Sequence, residues 1–312
     1  MLDSIFETLF SMRFLITTIR LATPILFAAM GAFIAGQSGI GNIAIESIMT
    51  FGALAGVLGS YLSGNAWVGV LLAMVVGVLT VMLIAFFSMK LGANAFLIMI
   101  ALNTFADSVA IFVMYLMTGE KGTTASLTTP ILGTVDIPII KDIPVIGEIF
   151  SGQYVLTYIC WIIIILLFIF IYKTPTGMRL RACGLNSDAA RTAGVNVEKL
   201  QILSLVLSGI FAALGGAYLS LNYLKIYSRG MVSGQGWMGV SANGIAAGNY
   251  WVLILFAFVF AIFRAVSIIF SSNSALPTDL VSAIPYMAVF VILTVVSIVN
   301  YYRVKQGKVE EK

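Results

Sequence analysis

The chain contains no histidine, and this absence removes the commonest metal ligand and the commonest general base. It has only two cysteines, Cys160 inside an apolar run and Cys183 in a polar stretch. Thiols at such different depths are not expected to form a disulfide. Without histidine or a C-x-x-C pair, the sequence argues against a zinc hydrolase or an intramembrane enzyme. We therefore expect no metal site, no catalytic residue and no cofactor bound by this chain.

Charge is also scarce, since Asp, Glu, Lys and Arg make up 10% of the 312 residues whereas soluble domains carry about 25%. Hydrophobic residues make up 60%, and apolar runs of membrane-spanning length recur from end to end. Only helices satisfy their own backbone groups in lipid when the runs are this long. The sequence predicts an all-α polytopic membrane protein with a single membrane domain over residues 1–312. The net charge of +4 is not taken as a sign of nucleic-acid binding.

Eight apolar runs are predicted to span the membrane, and a ninth is short and glycine-rich. The ninth run, residues 236–248, is typical of a half-helix buried among other helices. With it, we expect about eight to ten transmembrane helices. The eight longer runs are residues 14–35, 43–61, 66–87, 94–117, 153–172, 201–224, 250–270 and 280–300.

Basic residues indicate which polar segments face the cytoplasm. The stretch 173–200 and the tail after residue 300 are rich in Lys and Arg, so the positive-inside rule places both in the cytoplasm. The longest polar connection, residues 118–152, carries more acidic than basic residues and is expected outside the cell. Two inside segments require an even number of crossings between them, so residues 236–248 must count as one crossing or a neighbouring span must be broken. Counting back places the N-terminus outside.

Two short segments echo each other. Residues 51–56 read F-G-A-L-A-G and residues 211–216 read F-A-A-L-G-G, and a Leu-Ser pair follows each. On the predicted topology both run from inside to outside, as expected for a parallel internal repeat. Chance is the alternative, because small residues also serve close helix packing.

The stretch from Thr176 to Val197 reads T-G-M-R-L-R-A-C-G-L-N-S-D-A-A-R-T-A-G-V-N-V, and S-G-I-F-A-A-L-G-G-A-Y-L begins at Ser208. This order resembles the coupling region of ATP-binding-cassette import permeases, in the family of ribose-type and branched-chain amino acid-type importers. An ordinary basic cytoplasmic loop is the alternative. The resemblance implies that these residues couple the permease to its ATPase: Gly177, Arg181, Gly184, Asn186, Ala189, Ala190 and Gly194.

A second match points to a subfamily. Residues 38–49, S-G-I-G-N-I-A-I-E-S-I-M, resemble the S-G-V-x-N-I-G-x-E-G-x-M motif of nucleoside-type permeases. Residues 236–251 resemble the glycine- and alanine-rich segment of the same members, although the usual phenylalanine and proline are missing. The resemblance spans about residues 20–300.

Polar side chains within the spans are the candidates for contact with substrate, because an intramembrane polar group needs a partner or a watery cavity. Helix packing, or for the aromatic ring an interfacial belt, is the alternative for each. Arg20 is expected to reach the interface or to pair with a carboxylate such as Glu46, and Arg264 is expected near the inner interface. The predicted pathway residues are Asn42, Glu46, Asn103, Asp107, Asn222, Trp237 and Asn243.

The resemblance implies a multi-pass permease subunit in a bacterial cell membrane that imports nucleosides or related small polar solutes. No G-x-x-x-x-G-K-[ST] loop is present, so ATP and Mg²⁺ are expected on a separate cytoplasmic ATPase subunit. A second permease subunit, either a paralogue or a second copy, and an extracytoplasmic binding protein complete the expected partners. Two alternatives stay open. One is a permease for a simple sugar such as ribose, and the other is an ion-coupled carrier using Glu46 and Asp107.

Overall fold

The structure, a computed structural model, describes residues 11–138, 146–273, 281 and 283–305. Helices dominate these stretches, and π-helical turns extend α3 over Phe86–Lys90 and α9 over Leu219–Tyr223. The elements are α1 (Met12–Gln37), α2 (Ile45–Ser63), α3 (Ala66–Ala85), α4 (Ala95–Thr118), β1 (Thr134–Val135), α5 (Ile146–Phe150), β2 (Gln153–Tyr154), α6 (Val155–Lys173), α7 (Pro175–Leu185), α8 (Ser187–Thr192), α9 (Val197–Tyr218), α10 (Gln235–Ala246), α11 (Tyr250–Asn273) and α12 (Ile284–Lys305).

The all-α membrane architecture predicted from the sequence is confirmed. In the described part of the chain, seven helices are long and apolar enough to cross a bilayer, namely α1, α2, α3, α4, α6, α9 and α11. The apolar portion of α12, Ile284–Ile298, is shorter. The 12-residue helix α10 occupies the place of the short ninth run.

Helices α1, α2 and α9 form the centre of the bundle. The middle of α1 is buried all round, with Phe27, Met30 and Phe33 fully covered. α2 and α9 run in the same direction, because Asn42 at the start of α2 contacts Ser208 while Gly56 further along contacts Ala217. The two echoing segments, residues 51–56 and 211–216, therefore lie side by side. An internal repeat stays a prediction.

Glycine allows this close helix crossing. A Cβ atom built on Gly216 would collide with the carbonyl oxygen of Met49, and one built on Gly52 would lie 2.8 Å from the Cα of Ala213. The backbones of α2 and α9 are thus in direct contact. Such small-residue crossings are typical of packing between membrane helices.

The bundle has two distinguishable ends. One, called here the α7–α8 end, carries the two short helices of the predicted coupling stretch together with the last turns of α1 and α6. The opposite end carries the pair β1–β2, whose register joins Thr134 to Tyr154 and Val135 to Gln153. Residues 139–145 of the predicted outer connection, and the N-terminal and C-terminal residues 1–10 and 306–312, lie outside the described residues.

Helix α10 returns the chain from the opposite end to the α7–α8 end. The segment before it bridges to the opposite end through Thr123 and Ser228, whereas Gly248 just after it accepts a hydrogen bond from the Tyr172 hydroxyl at 3.2 Å. Residues 224–246 therefore make one pass together. Counting α9, residues 224–246, α11 and α12 as one pass each gives the even number of crossings that the charge pattern predicts, and the side on which the C-terminus lies stays a prediction.

Candidate functional site

Helix α2 begins inside the bundle rather than at its edge. The Ser38 hydroxyl, just after α1, accepts from the Ser204 hydroxyl at 2.6 Å, and the Asn42 side-chain amide donates to the Ser208 hydroxyl at 2.9 Å. Ser208 lies about 16 Å along α9 from Val197, at 1.5 Å per residue. Residues 38–44 therefore run along α9 largely without helix, with Ser38, Asn42 and Ala44 buried while Gly39 and Gly41 are exposed.

Two asparagines satisfy the backbone at this break. The side-chain oxygen of Asn42 accepts from the backbone amide of Ala44 at 2.9 Å. From α4, the Asn103 side chain accepts from the Ser47 amide at 3.0 Å and donates to the Ile43 carbonyl at 2.9 Å. Because unpaired backbone groups are costly away from water, these side chains make the interior start of α2 possible.

Glu46 joins α2 to the N-terminus of α10. One carboxylate oxygen accepts from the amide of Gly234 at 2.7 Å and the other accepts from the amide of Gly236 at 2.8 Å. The first amides of a helix carry no intrahelical partner and concentrate positive partial charge. A carboxylate is therefore well matched to this position, and we call the arrangement the Glu46 clamp.

Five of the predicted pathway residues meet around the Glu46 clamp. Asp107, exposed on α4 one turn beyond Asn103, interacts electrostatically with Glu46. Trp237 follows the clamped amides on α10 and is 41% exposed. The group that the structure brings together is Asn42, Glu46, Asn103, Asp107 and Trp237.

The other two predicted pathway residues lie elsewhere. Asn222 is buried in the π-turn after α9, where its amide donates to the Leu132 carbonyl at 3.2 Å towards the opposite end. Asn243 lines a cleft of about 560 Å³ at the α7–α8 end. Contact of any of the seven with a substrate stays a prediction.

The two intramembrane arginines lie far from the α7–α8 end. Arg20 donates to the Gly152 carbonyl at 3.2 Å and to the Gln153 side chain at 3.3 Å, so of the two expected arrangements it reaches the end of the bundle and does not pair with Glu46. Arg264 lies about 21 Å along α11 from Tyr250, which is at the α7–α8 end, so it is not at the end that the charge pattern predicts to be cytoplasmic. It interacts electrostatically with Tyr223 and Tyr286. Periodicity alone gave no depth for either residue.

The predicted coupling stretch folds as two short helices with clear caps. The Thr174 hydroxyl accepts from the amide of Gly177 at 3.1 Å to start α7. The Asn186 side chain accepts from the amides of Asp188 and Ala189, at 3.1 and 2.9 Å, to start α8. Gly194, with φ of 83°, ends it in the left-handed region that glycine tolerates best.

Close backbone contacts hold this α7–α8 hairpin against the bundle. A Cβ atom on Gly177 would collide with the carbonyl of Phe170 in α6, and one on Gly184 would collide with the carbonyl of Gln37 at the end of α1. Ala190 packs with Cys183 and Val197 in a small separate core. The guanidinium of Arg181 lies 4.9 Å from the centre of the Tyr172 ring. Ala189, in contrast, is exposed.

Leu185 is a candidate contact residue that the sequence reasoning missed. It is the last residue of α7, next to the junction with α8, and is 79% exposed although it is a large apolar side chain. Its signal in the sequence is a leucine placed between Gly184 and the capping Asn186 in an otherwise polar turn. An exposed apolar side chain at the junction of two surface helices is suited to binding another protein.

One structural path joins the hairpin to the Glu46 clamp. Gly184 contacts Gln37, and residues 38–44 lead directly from there to α2. A Cβ atom built on Gly39 would also lie 3.4 Å from the Cα of Gly184. A displacement of the hairpin would therefore reach the start of α2 through a short segment.

Sequence comparison agrees with this architecture. The model of the family described as "Branched-chain amino acid transport system / permease component" matches residues 14–293. The guanosine ABC transporter permease protein NupQ of Bacillus subtilis (strain 168) is 32% identical over 232 residues, which are 72% of each chain. The nucleoside ABC transporter permease protein NupC of Lactococcus lactis subsp. cremoris (strain MG1363) is 26% identical over 87% of this chain and 88% of its own.

A solved structure shares the fold. The structure titled "PsaBC from Streptococcus pneumoniae in complex with Fab" superposes with a TM-score of 0.55 at 15% identity, covering 94% of this chain and 95% of that chain. At this identity the likeness concerns the fold alone.

Proposed function

Because the chain belongs to the family of branched-chain amino acid transport system permease components, we propose that it is the membrane permease of an ATP-binding-cassette importer that carries nucleosides into a bacterial cell. The names of the relatives NupQ and NupC support this substrate class. The proposed complex contains a cytoplasmic ATPase, a second permease subunit and an extracytoplasmic binding protein. The α7–α8 end and the C-terminus face the cytoplasm in this proposal.

The observation that carries the proposal is the α7–α8 hairpin, which is rigidly docked on the bundle yet presents Leu185 outward. In the proposed mechanism the ATPase binds Leu185 and moves the hairpin when it closes on ATP. Gly184 transmits this movement to Gln37, and residues 38–44 carry it to α2. The Glu46 clamp then carries it to α10.

The group around the Glu46 clamp has the chemistry that a nucleoside requires. Asp107 offers acceptors to ribose hydroxyls, Asn103 keeps one N–H and one lone pair beyond its two backbone hydrogen bonds, and the exposed ring of Trp237 offers a surface for stacking a base. We propose that the solute passes this group on its way between the two ends. The clamp itself is a positioning element, because both oxygens of Glu46 are occupied by backbone amides.

Replacing Leu185 by Asp tests the coupling. The tagged chain is isolated from detergent-solubilised membranes, and co-purifying subunits are identified by mass spectrometry. We expect the unchanged chain to retain an ATPase and a second permease, and Leu185→Asp to lose the ATPase alone, because a charge is placed at an apolar contact. Ile131→Asp, an equally charged change at a 40% exposed residue of the opposite end, serves as the matched control.

Retention of the ATPase by Leu185→Asp at the level of Ile131→Asp would overturn this assignment of the hairpin. Uptake into proteoliposomes containing the complete complex tests the substrate. We expect ATP-dependent uptake of a labelled nucleoside that unlabelled nucleosides compete for and free ribose does not. Competition by ribose alone would favour the simple-sugar permease, and uptake driven by a proton or sodium gradient without ATP would favour the ion-coupled carrier.

A further inference from the structure

Two clefts meet at the α7–α8 end of the bundle. The first, of about 560 Å³, lies between α7, the end of α1 and α10, and Arg181, Gln37 and Asn243 line it. The second, of about 420 Å³, lies between α6 and α11 and is lined by aromatic side chains. The clefts share Ala247 and Gly248, so they form one continuous depression.

The first cleft offers unused hydrogen-bonding capacity. The Arg181 guanidinium carbon lies 4.9 Å from the centre of the Tyr172 ring, and its buried Nε has no hydrogen-bond partner among the described residues. Neither the Gln37 nor the Asn243 amide forms a side-chain hydrogen bond within the described part of the chain. A guanidinium flanked by amides favours an anion with several acceptor oxygens, above all a phosphate.

The second cleft is aromatic and lies where the helices leave the apolar layer. Phe168 lies 5.3 Å from Trp251 and 5.1 Å from Tyr172, measured between ring centres. Trp251 is 61% exposed although it stands in the first turn of α11. Trp and Tyr at helix ends are typical of the boundary between hydrocarbon and headgroups. The second cleft thus faces lipid, beside a first cleft that favours phosphate.

The surrounding charge has the matching sign. Lys173, the last residue of α6, is exposed close to Arg181, whereas Arg179 does not line the cleft. The acidic residue of this hairpin, Asp188, lies 3.9 Å from Arg191 on α8. Anionic headgroups at a membrane surface are attracted by such basic clusters.

We propose that this depression is a binding site for one anionic phospholipid of the bilayer. The headgroup phosphate binds the edge of Arg181 with help from the amides of Gln37 and Asn243. One acyl chain lies over Phe168 and Trp251. The site connects a lipid to α7, and it does not depend on which solute the protein carries.

Lipid retention on the full-length chain tests this site. The chain is purified in detergent, equal amounts of phosphatidylglycerol and phosphatidylcholine are added, and bound lipid is quantified by native mass spectrometry. We expect preferential retention of phosphatidylglycerol, lowered about tenfold in Arg181→Gln because a charge-assisted bidentate contact is lost. Arg179→Gln, which removes the same charge from an exposed position two residues away, should retain lipid like the unchanged chain.

Two further variants keep the test decisive if Arg181→Gln folds poorly. Arg181→Lys keeps the charge without the planar fork and should retain an intermediate amount of lipid. Trp251→Ala should weaken lipid retention while leaving Arg181 in place. Equal retention by Arg181→Gln and Arg179→Gln, or equal retention of the two lipids, would overturn the proposal. Displacement of the lipid by the same concentration of free glycerol phosphate would also overturn it, because it would show a site for a soluble anion.

Discussion

Among single residues, Glu46 shows how an acidic side chain can join two helices within a membrane protein by accepting hydrogen bonds from backbone amides. Its two oxygens replace the missing backbone acceptors for Gly234 and Gly236. Hydrogen bonds to a charged group each contribute about 1.5–3 kcal/mol. The sequence motif around Glu46 indicated an important carboxylate, but its partners lie almost two hundred positions away and follow no periodicity that sequence could reveal.

Replacing Glu46 by Gln tests this role. The amide keeps one acceptor and opposes the second helix amide with a donor, so we expect a loss of about 1.5–3 kcal/mol in stability. The midpoint of thermal unfolding in detergent measures the effect. Glu120→Gln, which neutralises an exposed carboxylate, is the control and should shift stability by less than about 0.5 kcal/mol. Equal stability of the two variants would contradict a charged clamp.

Cys183 allows a second test at this scale. The thiol is 2% exposed in the small core of the hairpin, and burial raises the pKa of Cys183. Since the thiolate is the reactive form, we expect maleimide labelling at pH 7 to be far slower than for a free thiol and to keep rising through alkaline pH. Asp188→Cys in a Cys183→Ser background places an exposed thiol on the same hairpin and should react at the ordinary rate. Equal rates at pH 7 would show that the hairpin core is open.

At the level of secondary structure, the positions of the helices could be predicted from the sequence, whereas the contacts between them could not. Each of the eight long apolar runs contains a helix, and the short glycine-rich run contains α10, because hydrophobic length is a local property. The start of α2 at Ile45 also lies close to residue 43, where the predicted span begins. The position of a residue along the bundle depends on how the helices pack and not on the local sequence. Neither the buried position of Asn42 nor the distance of Arg264 from the α7–α8 end could therefore be predicted. The contact of the α7–α8 hairpin with α1 joins backbone atoms far apart in the sequence, so it could not be predicted either.

The crossing of α2 and α9 gives a prediction for two glycines. Gly216→Ala forces a methyl group onto the Met49 carbonyl and should separate the helices, so we expect strong destabilisation and poor insertion. Gly244→Ala in α10 meets open space and should be neutral or stabilising by up to about 1 kcal/mol through helix propensity. Thermal unfolding and the yield of monodisperse protein measure both. Comparable behaviour of the two variants would contradict the crossing.

At the scale of the whole molecule, the pass count makes a prediction about sidedness. On the proposed orientation, the α7–α8 hairpin faces the cytoplasm and the segment after α4 faces outward. In a Cys183→Ser background, Lys121→Cys should therefore react with a membrane-impermeant maleimide on intact cells. Asp188→Cys should react only after the membrane is opened. Reaction of Asp188→Cys on intact cells would reverse the orientation and contradict the proposed docking of an ATPase.

The backbone contact of α2 with α9 has a mechanical consequence. Helices whose main chains touch, as Gly216 and Met49 do, cannot slide past each other without losing that contact. In the proposed mechanism the crossing is therefore a fixed point about which α2 and α9 can tilt. Residues 38–44 connect the α7–α8 hairpin to the start of α2. At the start of α2, the Glu46 clamp joins α10 by two hydrogen bonds, and Gly236 brings the two backbones into direct contact there. In the proposed mechanism, a displacement that reaches the start of α2 would therefore move α10 together with α2.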